Sequence, residues 1–187
     1  MNNPRQTHLH PVEKAEALES RFRRLLQNPQ KIVEKYVQSG MTILDLGCGT
    51  GYFTTEIAKL LDNSGKVIAV DVQEGMLEIL RQKLRDSELQ HKIQIHKSQE
   101  NSLGLTEKVD FVLAFYTFHE VKHIDNIIIE LKAILKPEAK ILIAEQKFHV
   151  PKYTFDTLIQ KMKDNGFIIC ERPKIFFSRA VTMKIKN

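Results

Sequence analysis

Ile43-Leu44-Asp45-Leu46 is an apolar run that opens directly into Gly47-Cys48-Gly49-Thr50-Gly51, and a helix-like segment follows from Phe53 to Leu61. A buried strand, a three-glycine turn and a helix in immediate succession leave the chain few options. Glycines let the backbone turn tightly and let a ligand approach the main chain, and the helix N-terminus offers unpaired N–H groups. The spacing is G-x-G-x-G. The dinucleotide fingerprint G-x-G-x-x-G/A asks for Gly or Ala at position 52, where Tyr52 stands. No Lys-Ser/Thr pair follows the glycines, so a phosphate-gripping P-loop is excluded as well.

The rest of the chain alternates in the same way. Strands are predicted at Val67–Asp71, Lys92–His96, Val109–Phe115, Lys140–Ala144, Phe167–Cys170 and Ala180–Ile185. Helices are predicted at Met76–Leu84, Ile124–Leu135 (closed by Pro137) and Phe155–Asn165, the last ending at Gly166. Asn63-Ser64-Gly65 is a turn. Such alternation predicts an α/β fold with an open, mostly parallel sheet covered on both faces. Only a short loop containing Pro173 joins the last two strands, so they are expected to be antiparallel neighbours. Upstream, Val12–Gln27 places Ala15, Leu18, Phe22, Leu25 and Leu26 on one helical stripe, and Lys31–Val37 is a second short helix ended by Gly40.

Composition narrows the class. The chain has 187 residues, 42% hydrophobic and 27% charged, which suits a globular protein and not a disordered or collagen-like one. We therefore expect a single domain over 1–187, with 1–40 as a helical N-terminal segment. Two cysteines, Cys48 and Cys170, cannot form a disulfide framework, which points to a reducing, cytoplasmic setting. No apolar run approaches the ~18 residues of a membrane span, and the first residues lack a signal-peptide core. Charge is uneven: residues 1–40 carry +3, 41–145 carry −4 and 146–187 carry +6. Basic flanks could favour an anionic partner, although scattered solvated Lys and Arg give the same numbers. Without a block of five or six consecutive cations, nucleic acid is not expected as a partner.

Asp71 closes the second strand twenty residues after Gly51. A carboxylate at that tip can accept hydrogen bonds from both hydroxyls of a ribose; as a plainer reading it caps the next helix. Asp45 adds a second carboxylate beside the turn. Two acids there suit a ligand with a cationic amine or sulfonium better than a pyrophosphate.

Together, Ile43-Leu44-Asp45-Leu46-Gly47-Cys48-Gly49-Thr50-Gly51, Val67-Ile68-Ala69-Val70-Asp71 and Leu131-Lys132-Ala133-Ile134-Leu135-Lys136-Pro137 resemble the class I S-adenosylmethionine-dependent methyltransferases, most closely the ubiquinone/menaquinone-biosynthesis type. The resemblance covers about residues 30–187. It implies a Rossmann-like doubly wound sheet of seven strands ordered 3-2-1-4-5-7-6 with strand 7 antiparallel. It also implies that Asp45, Gly47, Cys48, Gly49 and Gly51 lie against the cofactor, that Asp71 holds its ribose, and that Val72 and Met76 pack on adenine. One departure stands out. Ser98 occupies the place of an acidic residue that takes the adenine amino group, leaving Ser98 or Gln99 to accept that bond. The family uses its N-terminal segment as a lid, which would bring Arg21, Arg23 and Arg24 toward an anionic acceptor; solvated surface is the plainer reading.

Phe115-Tyr116-Thr117-Phe118-His119-Glu120 follows the fourth strand, where the family sets donor against acceptor. The Asn/Asp-Pro-Pro-Tyr of base- and amide-methylating relatives is missing. Phe115 could face the sulfonium or be core. His119 is the candidate general base for an acceptor hydroxyl or amine, against a plainer role in packing. His119-Glu120-Val121-Lys122-His123 also matches H-E-x-x-H, a zinc-hydrolase signature that needs both histidines on one helix. No metal is expected there, nor at His8 and His10 in the terminus. The sequence thus predicts methyl transfer from S-adenosylmethionine to a small-molecule acceptor, leaving S-adenosylhomocysteine. The alternatives are a non-catalytic S-adenosylmethionine-binding partner or sensor and, more remotely, a zinc hydrolase.

Overall fold

The computed structural model describes residues 27–186. The upstream helix, the arginines at 21, 23 and 24, the lid and His8-x-His10 lie outside the described residues. Asn28 opens helix α1 (Pro29–Val33), its side chain accepting from the Lys31 N–H at 3.2 Å, with proline at the start where no N–H is needed. The helix stops at Val33, short of the predicted Val37. There follow β1 (Thr42–Leu46), α2 (Thr54–Leu60), β2 (Lys66–Asp71), α3 (Glu74–Leu84), β3 (Ile93–Lys97), β4 (Val109–Phe115), α4 (Ile124–Ile134), β5 (Leu135–Gln146), α5 (Lys152–Asp164), β6 (Phe167–Glu171) and β7 (Ser178–Ile185).

The seven strands form one sheet in the order β3-β2-β1-β4-β5-β7-β6. Strands β1 to β5 pair in parallel and β7 runs antiparallel to both neighbours, as expected for a connection too short to cross the sheet. Strand alternation divides the core into two faces. Leu44 and Leu46 of β1 join Ile127, Ile128 and Leu131 of α4 and Phe155, Leu158 and Met162 of α5. Ile43, on the opposite face, joins Ile57 and Ala58 of α2 and Leu77, Leu80 and Leu84 of α3. Both faces being covered explains the near-continuous apolar runs of β1, β2 and β4.

The largest departure from expectation is at β5. Pro137 does not close the preceding helix from beyond it but lies inside the strand. Leu135 pairs with Val109, and the register then jumps so that Lys140 faces Phe111. The excess residues turn through Glu138 at φ 65°. Proline survives there because an irregular stretch makes no continuous ladder. Sheet order reverses between β1 and β4, and a crevice opens beyond their carboxyl ends, the usual place for a ligand in such folds.

Candidate active site

The glycine turn hangs from the neighbouring strand, with the N–H groups of Gly47 and Cys48 both donating to the Val70 carbonyl, at 2.8 and 2.9 Å. Gly47 and Gly49 adopt left-handed backbone, φ 71° and 54°, but for different reasons. A Cβ on Gly47 would collide with the Thr117 side chain, whose hydroxyl donates to the Leu46 carbonyl at 2.9 Å, so that glycine locks the β1 and β4 tips together. A Cβ on Gly49 would meet nothing within 4 Å. It would project into open space, so this position is a cradle that main-chain atoms alone leave vacant for a ligand.

Asp71, at the tip of β2, fixes the cradle's other wall. Its Oδ2 accepts from Gly49 N–H at 2.9 Å and its Oδ1 from Gln73 N–H at 2.8 Å. Burial raises its pKa, while the backbone donors of Gln73, Gly49 and Val72 oppose the rise. Asp45, at the tip of β1, is only 2% exposed and accepts from the Thr54 hydroxyl at 2.6 Å. Its burial, with the charge of Asp71, pushes its pKa up to about 7 against the pull of Thr54. Burial and the same two carboxylates push the Cys48 thiol well above its ordinary value, so it is a packing group and not a nucleophile.

These groups line one cleft. Asp45, Gly47, Cys48, Gly49, Asp71, Val72, Met76, Ser98, Gln99 and Phe115 all border it; Gly51 and His119 do not. Gly51, at φ 86°, faces inward, where a Cβ would strike Leu80 of α3. Ser98 is buried and its N–H donates to the Asp71 carbonyl at 3.1 Å, which ties the β3 end to the same wall. Phe115 packs between Phe53 and Tyr116, with ring centroids at 4.4 and 4.3 Å. It is therefore both core and cleft floor. Tyr116 takes the left-handed φ of 62°, and its hydroxyl meets Gln27 and the Ser178 hydroxyl, the latter at 2.7 Å.

The cleft walls also hold Glu100 and Lys122, which the sequence did not single out, and Glu120. Lys122 pairs with Glu100 at 2.9 Å. Four carboxylates against one cation make the described lining net negative, which favours a cationic ligand and repels phosphates. Glu120 was legible only as the middle of H-E-x-x-H. That motif does not form a helix face: Phe118–Glu120 is a single 3₁₀ turn and His123 is the residue before α4.

His119 is not part of the cleft lining and stands between Glu145 and the cleft residue Glu120. Its Nδ1 is 2.8 Å from Oε2 of Glu145, which is 1% exposed, and its backbone N–H donates to the other oxygen at 3.2 Å. Its Nε2 stands 3.8 Å from Glu120. Burial pulls the imidazole pKa down, but the hydrogen bond and charge of Glu145, aided by the charge of Glu120, outweigh it and raise the pKa overall. The pair borders a separate, mainly apolar cavity with Phe118, Val150 and Leu158.

Residues 37–183 match the model of the family described as a methyltransferase domain. A demethylmenaquinone methyltransferase of Lactobacillus johnsonii is 34% identical over 110 residues, 58% of this chain and 45% of that protein. A ubiquinone/menaquinone biosynthesis C-methyltransferase UbiE of Shewanella frigidimarina is 29% identical over 126 residues, 67% of this chain and 48% of that one. The chain thus spans about half the length of the curated relatives it matches. A SAM-dependent methyltransferase from Aquifex aeolicus superimposes with a TM-score of 0.86 at 27% identity, over 95% of this chain and 100% of that chain.

Proposed function

The chain belongs to the methyltransferase-domain family, and on that basis we propose that it transfers a methyl group from S-adenosylmethionine to a small-molecule acceptor, leaving S-adenosylhomocysteine. The observation that carries this reading is the cradle: the open space at Gly49, bounded by an Asp71 carboxylate that is already oriented by two backbone donors. That carboxylate offers acceptor sites to a ribose diol. The negative lining, with Asp45 poised near neutrality, suits an amine and a sulfonium and is hostile to a phosphorylated nucleotide. Val72 and Met76 offer apolar contact to a base, and Ser98 and Gln99 offer it polar partners.

When bound, S-adenosylmethionine supplies a methyl carbon already made electrophilic by its positive sulfur. What the protein adds is position, exclusion of water and control of the acceptor's proton. Phe53, Phe115 and Tyr116 form an aromatic floor whose ring faces attract a cation and keep water away. Glu120 is the cleft group that takes the acceptor's proton. His119 and Glu145 stand behind it, His119 as a positioning residue and not as the base.

For the acceptor we propose a reduced quinone ring or a similar phenol, a class supported by what the two bacterial relatives are named for. Ionising a phenol oxygen activates its ring carbons toward an electrophilic methyl, so the help needed is a nearby acceptor for that one proton. Calorimetric titration with S-adenosylhomocysteine tests the cofactor: one site per chain is expected, and no heat at about 100 μM ligand removes the assignment. A reduced naphthoquinone incubated with S-adenosylmethionine tests the acceptor, with the methylated ring and S-adenosylhomocysteine appearing in equal amounts.

A further inference from the structure

Two segments beside the cleft mouth, one running into the start of α5 and the other into the start of β7, carry a surface unlike the acidic middle of the chain. Residues 147–153 and 172–179 hold five cations, Lys147, Lys152, Arg172, Lys174 and Arg179, and no Asp or Glu. They also hold the most exposed aromatics described: Phe148 at 86%, Tyr153 at 73%, and Phe176 and Phe177 at 48% each.

The two segments are bolted into one unit. Lys147 N–H donates to the Phe177 carbonyl at 2.9 Å, and the Arg179 guanidinium donates to the carbonyls of Lys147 and Val150 at 3.0 and 2.7 Å. Phe176 and Phe177 stand 4.0 Å apart by ring centroid, with Phe148 5.4 Å from Phe177. Phe177 is held at φ 53°, a left-handed conformation unfavourable for so bulky a residue, and half of its surface still faces water. Strain that presents a ring outward contributes nothing to the core, so it fits a ring used for contact. Of the nearby acids, Asp156 pairs with Lys152 and offsets that one cation, and Glu171 pairs with Lys35 and accepts from the Tyr36 hydroxyl, which leaves Lys147, Arg172, Lys174 and Arg179 as the patch's net positive charge.

We propose that this patch seats on the surface of an anionic phospholipid bilayer, its rings entering the boundary between headgroups and acyl chains and its cations meeting lipid phosphates. Charge complementarity selects that occupant: clustered Lys and Arg gain attraction from an anionic leaflet, and amphipathic rings favour its interface. Phe148, Phe176 and Phe177 border neither cavity, so they are shaped to insert and not to receive a side chain. Their rings pack on one another, which leaves fewer faces for stacking the bases of a single-stranded nucleic acid. Gln146 lines the cleft and leads directly into the first segment, and Ser178 of the second meets the cleft residue Tyr116. Docking therefore sets the cleft mouth at the lipid surface, and it is a property separate from the transfer chemistry.

Vesicle co-sedimentation of the full chain tests this, with phosphatidylcholine alone against phosphatidylcholine containing about 30% phosphatidylglycerol, at low and high salt. At least tenfold tighter binding to the anionic vesicles is expected, weakened by salt. The pairs Phe148→Ser/Phe176→Ser and Lys147→Gln/Lys174→Gln should each reduce it at least fivefold while S-adenosylhomocysteine binding stays unchanged. Equal or absent binding to the two vesicle types overturns the proposal. So do variants that bind like the parent, competition by an oligonucleotide with no vesicle binding, or a dimer of the parent chain that Phe148→Ser/Phe176→Ser dissolves.

Discussion

Two buried acid sites stand at the carboxyl edge of the same sheet, and they solve the same problem in opposite ways. At β1 and β2, Asp45 and Asp71 sit together with only hydroxyl and backbone donors, so burial drives both toward the neutral form and takes Asp45 to about 7. At β5, Glu145 is as deeply buried but has an imidazole at 2.8 Å, and the charge is shared with His119. The first site is short of positive charge and borders an open cleft. The second is internally compensated and borders an apolar cavity. A buried acid without a cation is one that a cationic ligand can complete, whereas a paired acid is structural support.

Breaking the compensated site should have the largest effect. His119→Ala leaves Glu145 buried without its partner and is expected to destabilise the fold by about 3–5 kcal/mol, measured by urea denaturation at pH 6. Its pH signature follows from the raised imidazole pKa. Stability from the pair is fully present below the unfolded value of 6.5 and is lost as pH rises through the folded value. Glu145→Gln should abolish that loss above pH 6.5.

Asp45 should contribute a decline with pH in a different window. Its folded pKa of about 7 lies above the ordinary value of 3.8, so the native state holds the proton longer and stability falls as pH rises between those values. Asp45→Asn should remove the decline and gain roughly 2–4 kcal/mol at pH 8 in melts without ligand. In the parent chain, S-adenosylhomocysteine binding at pH 7 should release protons, read as a dependence of titration heat on buffer ionisation enthalpy, and Asp45→Asn should lose it.

Smaller effects sharpen the contrast at the cradle itself. Asp71→Ala removes a charged acceptor and should weaken S-adenosylhomocysteine about 10–100-fold in calorimetry, equivalent to ~1.5–3 kcal/mol. Gly49→Ala should lower stability by only about 1 kcal/mol for its left-handed backbone, since the added methyl meets no protein atom, yet it should weaken the ligand at least tenfold by filling the cradle. If Gly49→Ala bound the ligand as tightly as the parent, the ligand would lie elsewhere.

The cleft was more legible in the sequence than the paired site, and the reason is distance along the chain. The glycine turn and Asp71 belong to adjacent strand–helix units, where local turn chemistry and strand ends announce themselves. His119 and Glu145 are 26 residues apart and meet only because β4 and β5 are neighbours, so no spacing rule could join them. For the same reason the sequence left His119 open between a general base and a packing residue; its pairing with Glu145 outside the cleft lining could not be read from it. Elements were also found more easily than their ends. Helix α3 begins at Glu74 and α5 at Lys152, two and three residues before Met76 and Phe155, because polar first-turn residues carry no apolar signal. The start of β5 was missed because Pro137 reads as a terminator wherever a ladder is assumed regular.

A crystal structure of the chain with S-adenosylhomocysteine bound is the most direct test of the central claim. The ribose hydroxyls are expected on the Asp71 carboxylate, with the ligand passing over Gly49 and its sulfur directed toward Phe115 and Glu120. Density for the ligand in the cavity beside His119 and Glu145, or none along residues 47–51, would contradict that claim.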